Sequence, residues 1–154
     1  MTWLDQVRFE HEIEWEQYNE LRASVNFITI PEIRAKRSLK NSLYKVVAYY
    51  EEEPIGMARV VGDDGYVYFI CDVVVNPKFQ SRGLGRKLIE TIMKHLSDSI
   101  EDGDVIMVNL MSAMGKESFY EKMGFYRRPF EGHGSGMSCW ISKGLSREKE
   151  DSWL

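Results

Sequence analysis

Residues 72–96 read DVVVNPKFQSRGLGRKLIETIMKHL, and this stretch decides the fold. It passes from a β-branched run through a turn at Asn76–Pro77 and a glycine-containing loop into a helix with apolar residues four apart. Backbone N–H groups at a helix start have no partner inside the helix and lie at the positive end of its dipole. Gly83 and Gly85 let the backbone approach an anion closely. The stretch predicts an anion-binding loop around Gly83 and Gly85, although a βα turn that selects glycine for its own geometry is the alternative.

Two other phosphate-binding loops are excluded by their spacing. The sequence contains no GxxxxGK[ST], so a P-loop nucleotide hydrolase is not predicted. The dinucleotide fingerprint GxGxxG fails because Leu88 stands where its third glycine belongs.

Length and charge restrict the class of protein. A chain of 154 residues with 44% hydrophobic and 29% charged residues predicts one globular domain. We expect substrate-side helices in 1–42, a cofactor-binding core in 43–142 and a charged tail in 143–154. The net charge of -4 excludes a general nucleic-acid binder and suits a cationic substrate.

The sequence carries no signal for a membrane or a metal. Its first residues lack a basic start and a long apolar run, and no segment approaches 18 apolar residues, so a cytoplasmic protein without membrane contact is expected. Cys71 and Cys139 are too few for a disulfide framework or a zinc site. The three histidines show no ligand spacing, and no metal is predicted.

Hydrophobic periodicity predicts a mixed α/β (α+β) fold. The expected architecture is a mostly antiparallel twisted sheet of six to seven strands, with flanking helices and one βαβ crossover at the glycine loop. The apolar run 66–75 is expected at the centre of the sheet, with both faces covered. Strands are predicted at 6–12, 43–50, 55–62, 66–75, 105–110, 125–130 and 137–141, with a β-prone segment at 27–30 and helices at 14–22, 31–40, 84–96 and 116–123.

Two motifs carry a resemblance to a known family. The spacing Gln80-x-x-Gly83-x-Gly85 resembles the Q/R-x-x-G-x-G/A loop of the GCN5-related N-acetyltransferase (GNAT) family, which wraps the pyrophosphate of acetyl-coenzyme A in that family. The stretch FYEKMGF at 119–125 resembles the F/L-Y-E-K-x-G-F signature of the same family. The resemblance covers about residues 43–141 and implies the acetyltransferase fold.

The resemblance also implies a cofactor site. The pantetheine arm of acetyl-coenzyme A is expected to pair with strand residues as an added strand, in a gap left by the diverging next strand. Asn109 is a candidate to replace an asparagine that the family often has and that is Ala113 here. The implied cofactor-binding residues are Val73, Val74, Val75, Gln80, Ser81, Arg82, Gly83, Leu84, Gly85, Arg86 and Asn109.

Tyr120 and Asp72 are the candidate catalytic residues. A tyrosine hydroxyl with an ordinary pKa of about 10 stays protonated at neutral pH and can donate to a thiolate, so Tyr120 is the expected general acid. Asp72 is an unusual charge in an apolar run and is the candidate general base, or else it caps or pairs structurally. Glu10 and Glu12 are lower-ranked candidates for the base.

The implied activity is acetyl transfer from acetyl-coenzyme A to a primary amine, expected on a small molecule. A non-catalytic acyl-coenzyme A sensor or interaction module on the same fold is the alternative, and a structural protein without a ligand is a third. Homodimer formation through the apolar C-terminal strands is also possible on sequence grounds.

Overall fold

The computed structural model describes residues 1–144 and divides into two compact units, residues 1–111 and the residues from Ser112 onward. Each unit is described by itself. The single-domain organisation expected from the sequence stays a prediction. Most of the predicted charged tail at 143–154 lies outside the described residues.

The first unit contains five strands and three α-helices. They follow a short 3-10 turn at Trp3–Gln6. The elements are β1 (Val7–Glu10), α1 (Trp15–Ser24), α2 (Glu32–Lys40), β2 (Tyr44–Tyr50), β3 (Glu53–Gly62), β4 (Val67–Val75), α3 (Leu84–Asp98) and β5 (Met107–Leu110).

The five strands form one sheet in the order β1-β2-β3-β4-β5. The first three pairings are antiparallel, and β4 pairs with β5 in parallel through a crossover that contains α3. The predicted fold class and its single βαβ crossover are therefore confirmed. The predicted position of β4 is wrong, because β3 is the central strand.

The predicted number of strands is too high. Among residues 1–144 the sheet has five strands, and the segments 27–30, 125–130 and 137–141 are not strands. Between Ser112 and residue 144 the only strand-like pairing is an isolated bridge between Phe130 and His133. In the segment 125–130, Pro129 has no N–H to donate to a neighbouring strand. In the segment 137–141, Met137 and Ile141 are 90% and 91% exposed. A β-prone segment without a partner strand has no ladder to join.

Helices cover both faces of the sheet. On one face α3 buries the apolar stripe that its four-residue spacing predicts, formed by Leu84, Leu88, Ile89, Ile92 and Leu96. On the other face α1 and α2 pack on β2, β3 and β4 through the buried cluster Ile13, Tyr18, Leu21, Ala35, Leu39, Val47, Tyr49, Met57 and Val74.

The longest helix, α3, has 15 residues. No helix within residues 1–144 combines the length and the apolarity that a membrane crossing requires. The expected cytoplasmic location stays a prediction.

The second unit is organised around the short helix α4 (Glu117–Glu121). Gly124 follows it with a φ of 97°, and the Phe125 N–H donates to the Tyr120 carbonyl at 3.2 Å. This left-handed glycine ends the helix as the sequence predicts.

Gly56 sits where β3 passes beneath α3, and Gly56→Ala is expected to destabilise the protein. A Cβ there would lie 3.0 Å from the Val74 carbonyl oxygen and 3.2 Å from a Leu84 methyl group. Overpacking of this kind costs about 1–3 kcal/mol of unfolding free energy, which urea denaturation would measure. Gly65→Ala is the control, because its nearest atom would be 3.7 Å away. Equal stability of the two variants would contradict the close packing at Gly56.

Candidate functional site

The edge of β4 that faces β5 is hydrogen-bonded only along the first half of the strand. Parallel pairing with β5 runs from Val67–Met107 to Ile70–Leu110 and stops there, while β4 continues to Val75. Within residues 1–144, N–H groups of residues 71–75 that point away from β3 have no partner strand. β5 therefore does not pair with β4 along Val73–Val75, and the cofactor gap expected there stays a prediction.

A β-bulge lies at the start of this unpaired half. Met57 is opposite Val74 and Arg59 is opposite Cys71, so Ala58 faces two residues of β4, Asp72 and Val73. Asp72 has a φ of 52°, in the left-handed region. The bulge redirects the backbone at the point where β4 leaves β5.

The glycine loop enters α3 through two left-handed residues. Gly83 has a φ of 85° and is the N-cap residue of α3, and Ser81 has a φ of 62°. The positive φ of Ser81 has no counterpart in the sequence pattern, because serine rarely adopts this conformation. Within residues 1–144 the backbone N–H groups of residues 81–86 have no protein acceptor. They are free to bind an anion at the positive end of the α3 dipole.

Side-chain hydrogen bonds tie the loop to the end of β4. Gln80 Nε2 donates to the Val75 carbonyl at 2.9 Å, and the Asn76 side chain accepts from the Lys78 N–H at 3.0 Å. The Asn76 N–H donates to the Ile55 carbonyl of β3 at 2.8 Å. The structure thus gives Gln80 a role in holding the loop against the strand.

Arg82 is held over aromatic rings. Its guanidinium carbon lies 5.2 Å from the centroid of the Trp3 ring and 5.8 Å from that of Phe79. The Trp3 and Phe79 rings stack on each other with centroids 5.9 Å apart. The 3-10 turn before β1 therefore supports a loop cation from a distant part of the sequence.

Arg86 lies in the first turn of α3 and pairs with Glu90, its Nε 2.7 Å from Oε1. Both side chains are largely exposed. An exposed pair of this spacing contributes little to stability, so Arg86 can exchange Glu90 for a stronger anion. The predicted roles of Arg82 and Arg86 toward a phosphate stay predictions.

The loop fits a diphosphate. Six consecutive N–H groups lack acceptors, Gly83 and Gly85 carry no side chain to obstruct them, and Arg82 and Arg86 supply positive charge. A Cβ on Gly83 would already contact a Leu4 methyl group at 3.7 Å. A coenzyme A diphosphate would be held by these backbone groups, while Leu84 anchors the loop in the core.

Asp72 is the centre of a largely buried polar cluster, which we call the Asp72 network: Tyr18, Arg22, Arg59 and Asp72. The Tyr18 hydroxyl donates to Oδ2 at 2.5 Å, Arg59 Nε donates to Oδ2 at 2.6 Å, and Arg22 donates to Oδ1. The Asp72 side chain is 6% exposed, against 12% for Arg22 and 13% for Arg59. Burial and the Asp72 charge raise the pKa of Tyr18 well above its usual value. Its hydroxyl is therefore a permanent donor to the carboxylate.

The other predicted base candidates are engaged on the surface. Glu10 pairs with Arg8 at 2.5 Å, and Glu12 lies 3.7 Å from the Lys45 ammonium.

Burial raises the pKa of the Cys71 thiol, next to Asp72, to about 11, so it stays protonated at neutral pH.

Asn109 lies on β5 opposite Phe69. Asn109 is half-buried, and its side chain has no hydrogen-bonding partner among residues 1–144. Its amide is available to a ligand, and its predicted role in cofactor binding stays a prediction.

Tyr120 lies on α4 in the second unit, with its ring edge-on to Phe119 and Phe125. The residue is buried, with 9% exposed. Its hydroxyl has no hydrogen-bonding partner within residues 1–144, and no buried side-chain oxygen there lacks one, so this oxygen reaches solvent. Burial of the ring raises the pKa of the hydroxyl above its ordinary value, which keeps it protonated at neutral pH.

Sequence reasoning missed Trp3, Tyr18, Arg22 and Arg59. Tyr18 and Arg22 are four residues apart on α1 and therefore share a helix face, a signal that could have paired them. Nothing local connects them to Asp72, 54 and 50 residues further along the chain. Their common target becomes visible only when the sheet is assembled.

Comparison with known proteins agrees with this geometry. Residues 7–125 match the model of the acetyltransferase (GNAT) family. The chain is 35% identical over 129 residues to the N-acetyltransferase ycf52-like protein of Prochlorococcus marinus, covering 80% of this chain and 67% of that protein. It is 29% identical over 117 residues to the N-acetyltransferase ycf52 of Pyropia yezoensis, covering 73% of this chain and 65% of that protein. The chain thus spans about two thirds of these curated relatives.

A solved structure agrees as well. A protein from meticillin-resistant Staphylococcus aureus, named a probable acetyltransferase, superposes with a TM-score of 0.78 at 29% identity, covering 88% of this chain and 99% of that one. The architecture around β4, the glycine loop and α3 is that of an acetyltransferase. The chain belongs to the acetyltransferase (GNAT) family, which confirms the family predicted from the two motifs.

The left-handed conformation at Gly83 predicts an asymmetry between two substitutions. Gly83→Ala should lower the unfolding free energy by about 1–2 kcal/mol, because an L residue there adopts a left-handed φ at a cost. Ser81→Gly should stay within about 1 kcal/mol of the parent, because relief of strain offsets the added freedom of the unfolded chain. Chemical denaturation measures both. Gly134→Ala, at an open position outside the left-handed region, is the control. Wild-type stability for Gly83→Ala would contradict the loop geometry.

Proposed function

We propose that the chain is an acetyl-coenzyme A-dependent N-acetyltransferase that acetylates the primary amine of a small molecule. The observation that carries this proposal is the coincidence of the half-paired strand β4 with the acceptor-free N–H groups of residues 81–86. The family membership supports the transferase class, and the net charge of -4 favours a cationic acceptor.

Backbone groups of Val73–Val75 are proposed to bind the pantetheine arm. An extended chain adds to an open sheet edge through main-chain hydrogen bonds, and the edge of β4 beyond Ile70 is open in this way. The hydrogen bond from Gln80 to the Val75 carbonyl holds the glycine loop next to the end of β4. The strand edge that would bind an extended arm is therefore followed directly by the N–H groups that would bind an anion. A ligand with a diphosphate at one end and an amide-containing arm matches both.

Acetyl-coenzyme A supplies a thioester as the acetyl donor. An N–H group of Val73–Val75 that faces away from β3 would hydrogen-bond the thioester oxygen and stabilise the negative charge that develops there. The amine nitrogen forms the new C–N bond, the C–S bond breaks, and the thiolate receives a proton. The proton that the amine loses leaves to solvent water.

Tyr120 is proposed to donate the proton to the thiolate. Its hydroxyl reaches solvent while its ring is buried, and its raised pKa keeps the proton in place until it is required. This assignment rests on the family resemblance of FYEKMGF and on the environment of Tyr120 itself. Asp72, the sequence-based candidate for the base, has both carboxylate oxygens engaged by the Asp72 network.

Acetyl-coenzyme A binding tests the loop. Gly83→Glu should weaken binding at least about tenfold, because a carboxylate would face the diphosphate at the helix start. Isothermal titration calorimetry measures the dissociation constant. Gly65→Glu introduces the same charge at an exposed turn and should bind like the parent, while Gly83→Ala separates backbone strain from charge. Failure of the parent to bind acetyl-coenzyme A would reject the proposal.

Thiol release with a panel of primary amines tests the chemistry. Tyr120→Phe should lower kcat by about 10²–10⁴-fold with an unchanged dissociation constant for acetyl-coenzyme A, because it removes only the donated proton. Any loss of turnover caused by deprotonation of Tyr120 should fall at a higher pH than for an ordinary tyrosine, since burial of the ring raises its pKa.

Tyr126→Phe is the control, a matched change at an exposed tyrosine of the second unit. A parent protein that binds acetyl-coenzyme A and releases no thiol with any amine would be a non-catalytic acyl-coenzyme A-binding module. Equal turnover of parent and Tyr120→Phe would reject the role of Tyr120.

A further inference from the structure

We propose that Asp72 is a positioning residue: through the Asp72 network it fixes the bulge of β4, and with it the backbone N–H groups of Val73–Val75. This inference rests on the proposed function, which assigns those N–H groups to the thioester. It gives Asp72 a role different from that of a proton acceptor.

The backbone at Asp72 is the first argument. A bulge whose first residue is left-handed ordinarily has glycine there, because glycine adopts that conformation without steric cost. This chain has aspartate, with a φ of 52°. Aspartate adopts this conformation at a greater backbone cost than glycine, and the three hydrogen bonds to its carboxylate offset that cost.

The contacts come from two separate elements. Tyr18 and Arg22 reach Asp72 from α1, and Arg59 reaches it from β3, the neighbouring strand. Arg59 also lies 3.3 Å from the Ser42 hydroxyl and 3.4 Å from the Ser38 carbonyl, which extends the network to the end of α2. The helices of one face of the sheet are thereby joined to a single residue of β4.

The bulge is held on its other side by packing. Val74 is 1% exposed and belongs to the buried cluster that contains Tyr18, Leu21 and Met57. The backbone between Asp72 and Val74 is therefore restrained by hydrogen bonds at one end and by the core at the other. The direction of the N–H groups in between follows from both restraints.

Low exposure and three existing hydrogen bonds place Asp72 poorly for accepting a proton from a substrate. Oδ1 accepts from Arg22, and Oδ2 accepts from both Tyr18 and Arg59. The side chain is only 6% exposed. An incoming amine would have to enter among two largely buried guanidinium groups whose charges Asp72 pairs.

Tyr18→Phe is the variant that loosens the network most gently, since it removes one donor and keeps the buried ring. In Asp72→Asn the new asparagine also tolerates a left-handed φ, but the negative charge that pairs with both arginines is lost. Tyr49→Phe is the matched control: it removes the hydroxyl of another buried tyrosine, which donates to the Glu12 carbonyl at 2.9 Å outside the network.

Amide hydrogen exchange on the ligand-free protein tests the positioning directly and requires no activity. Tyr18→Phe should accelerate exchange of the amides within residues 72–75 that face β3 on the order of tenfold, because the restraint on the bulge is weakened. Tyr49→Phe should leave exchange at 72–75 as in the parent. Unchanged exchange in Tyr18→Phe would overturn the inference whatever the enzyme does.

Steady-state kinetics with acetyl-coenzyme A and a reactive amine supply the second readout. Tyr18→Phe should lower kcat about tenfold with an unchanged KM for acetyl-coenzyme A, and the acidic limb of the kcat/KM profile should stay at the parent's pH. An unchanged kcat would overturn the inference. So would a KM for acetyl-coenzyme A that rises by as much as the unfolding free energy of the variant falls, because the network would then serve stability alone.

Asp72→Asn separates positioning from proton transfer. A positioning role predicts a lowered kcat with the acidic limb retained, whereas loss of that limb would identify Asp72 as the base and overturn the inference. If the parent protein transfers no acetyl group while exchange at 72–75 still rises in Tyr18→Phe, the proposed function fails and the fixing of the bulge stands by itself.

Discussion

The half of β4 that lacks a parallel partner is the constraint on which the first unit depends. A buried strand needs both of its hydrogen-bonding edges satisfied, yet β5 accompanies β4 only as far as Ile70. Beyond that point the strand bends at Asp72 and leads directly into the glycine loop and α3. An open edge, a bulge and a helix start therefore follow one another along a single piece of chain, and each presents unpaired N–H groups.

Local signals explain why so much of this region was predictable. Each of these signals depends only on residues close to it in the sequence. They are the apolar stripe of α3, the turn at Asn76–Pro77 and the glycines at 83 and 85. The number of strands was overestimated because strand formation depends on a distant partner. The segment 137–141 has β propensity, but within residues 1–144 it has no strand beside it. Two-sided apolarity likewise placed β4 at the centre, where β3 lies.

In the site, too, features set by neighbouring residues were predictable and features set by distant residues were not. The loop glycines and the FYEKMGF segment could be recognised by spacing, but the positive φ of Ser81 could not, because serine carries no turn signal that requires it. Asp72 was noticed as a charge in an apolar run, and the sequence left a catalytic and a structural interpretation open. The partners that distinguish the two lie on α1 and β3, and only the assembled sheet brings them together.

The stacking of Arg82 on Trp3 gives the protein a built-in optical reporter. Indole emission responds to a charge held against the ring, and the Arg82 guanidinium lies 5.2 Å from the Trp3 centroid, beside the N–H groups of the glycine loop. Replacing Trp15, Trp140 and Trp153 by phenylalanine would leave Trp3 as the single tryptophan, which can be excited selectively over the tyrosines. Withdrawal of the arginine toward an anion would then change the emission without any label, so occupancy of the loop becomes visible in real time.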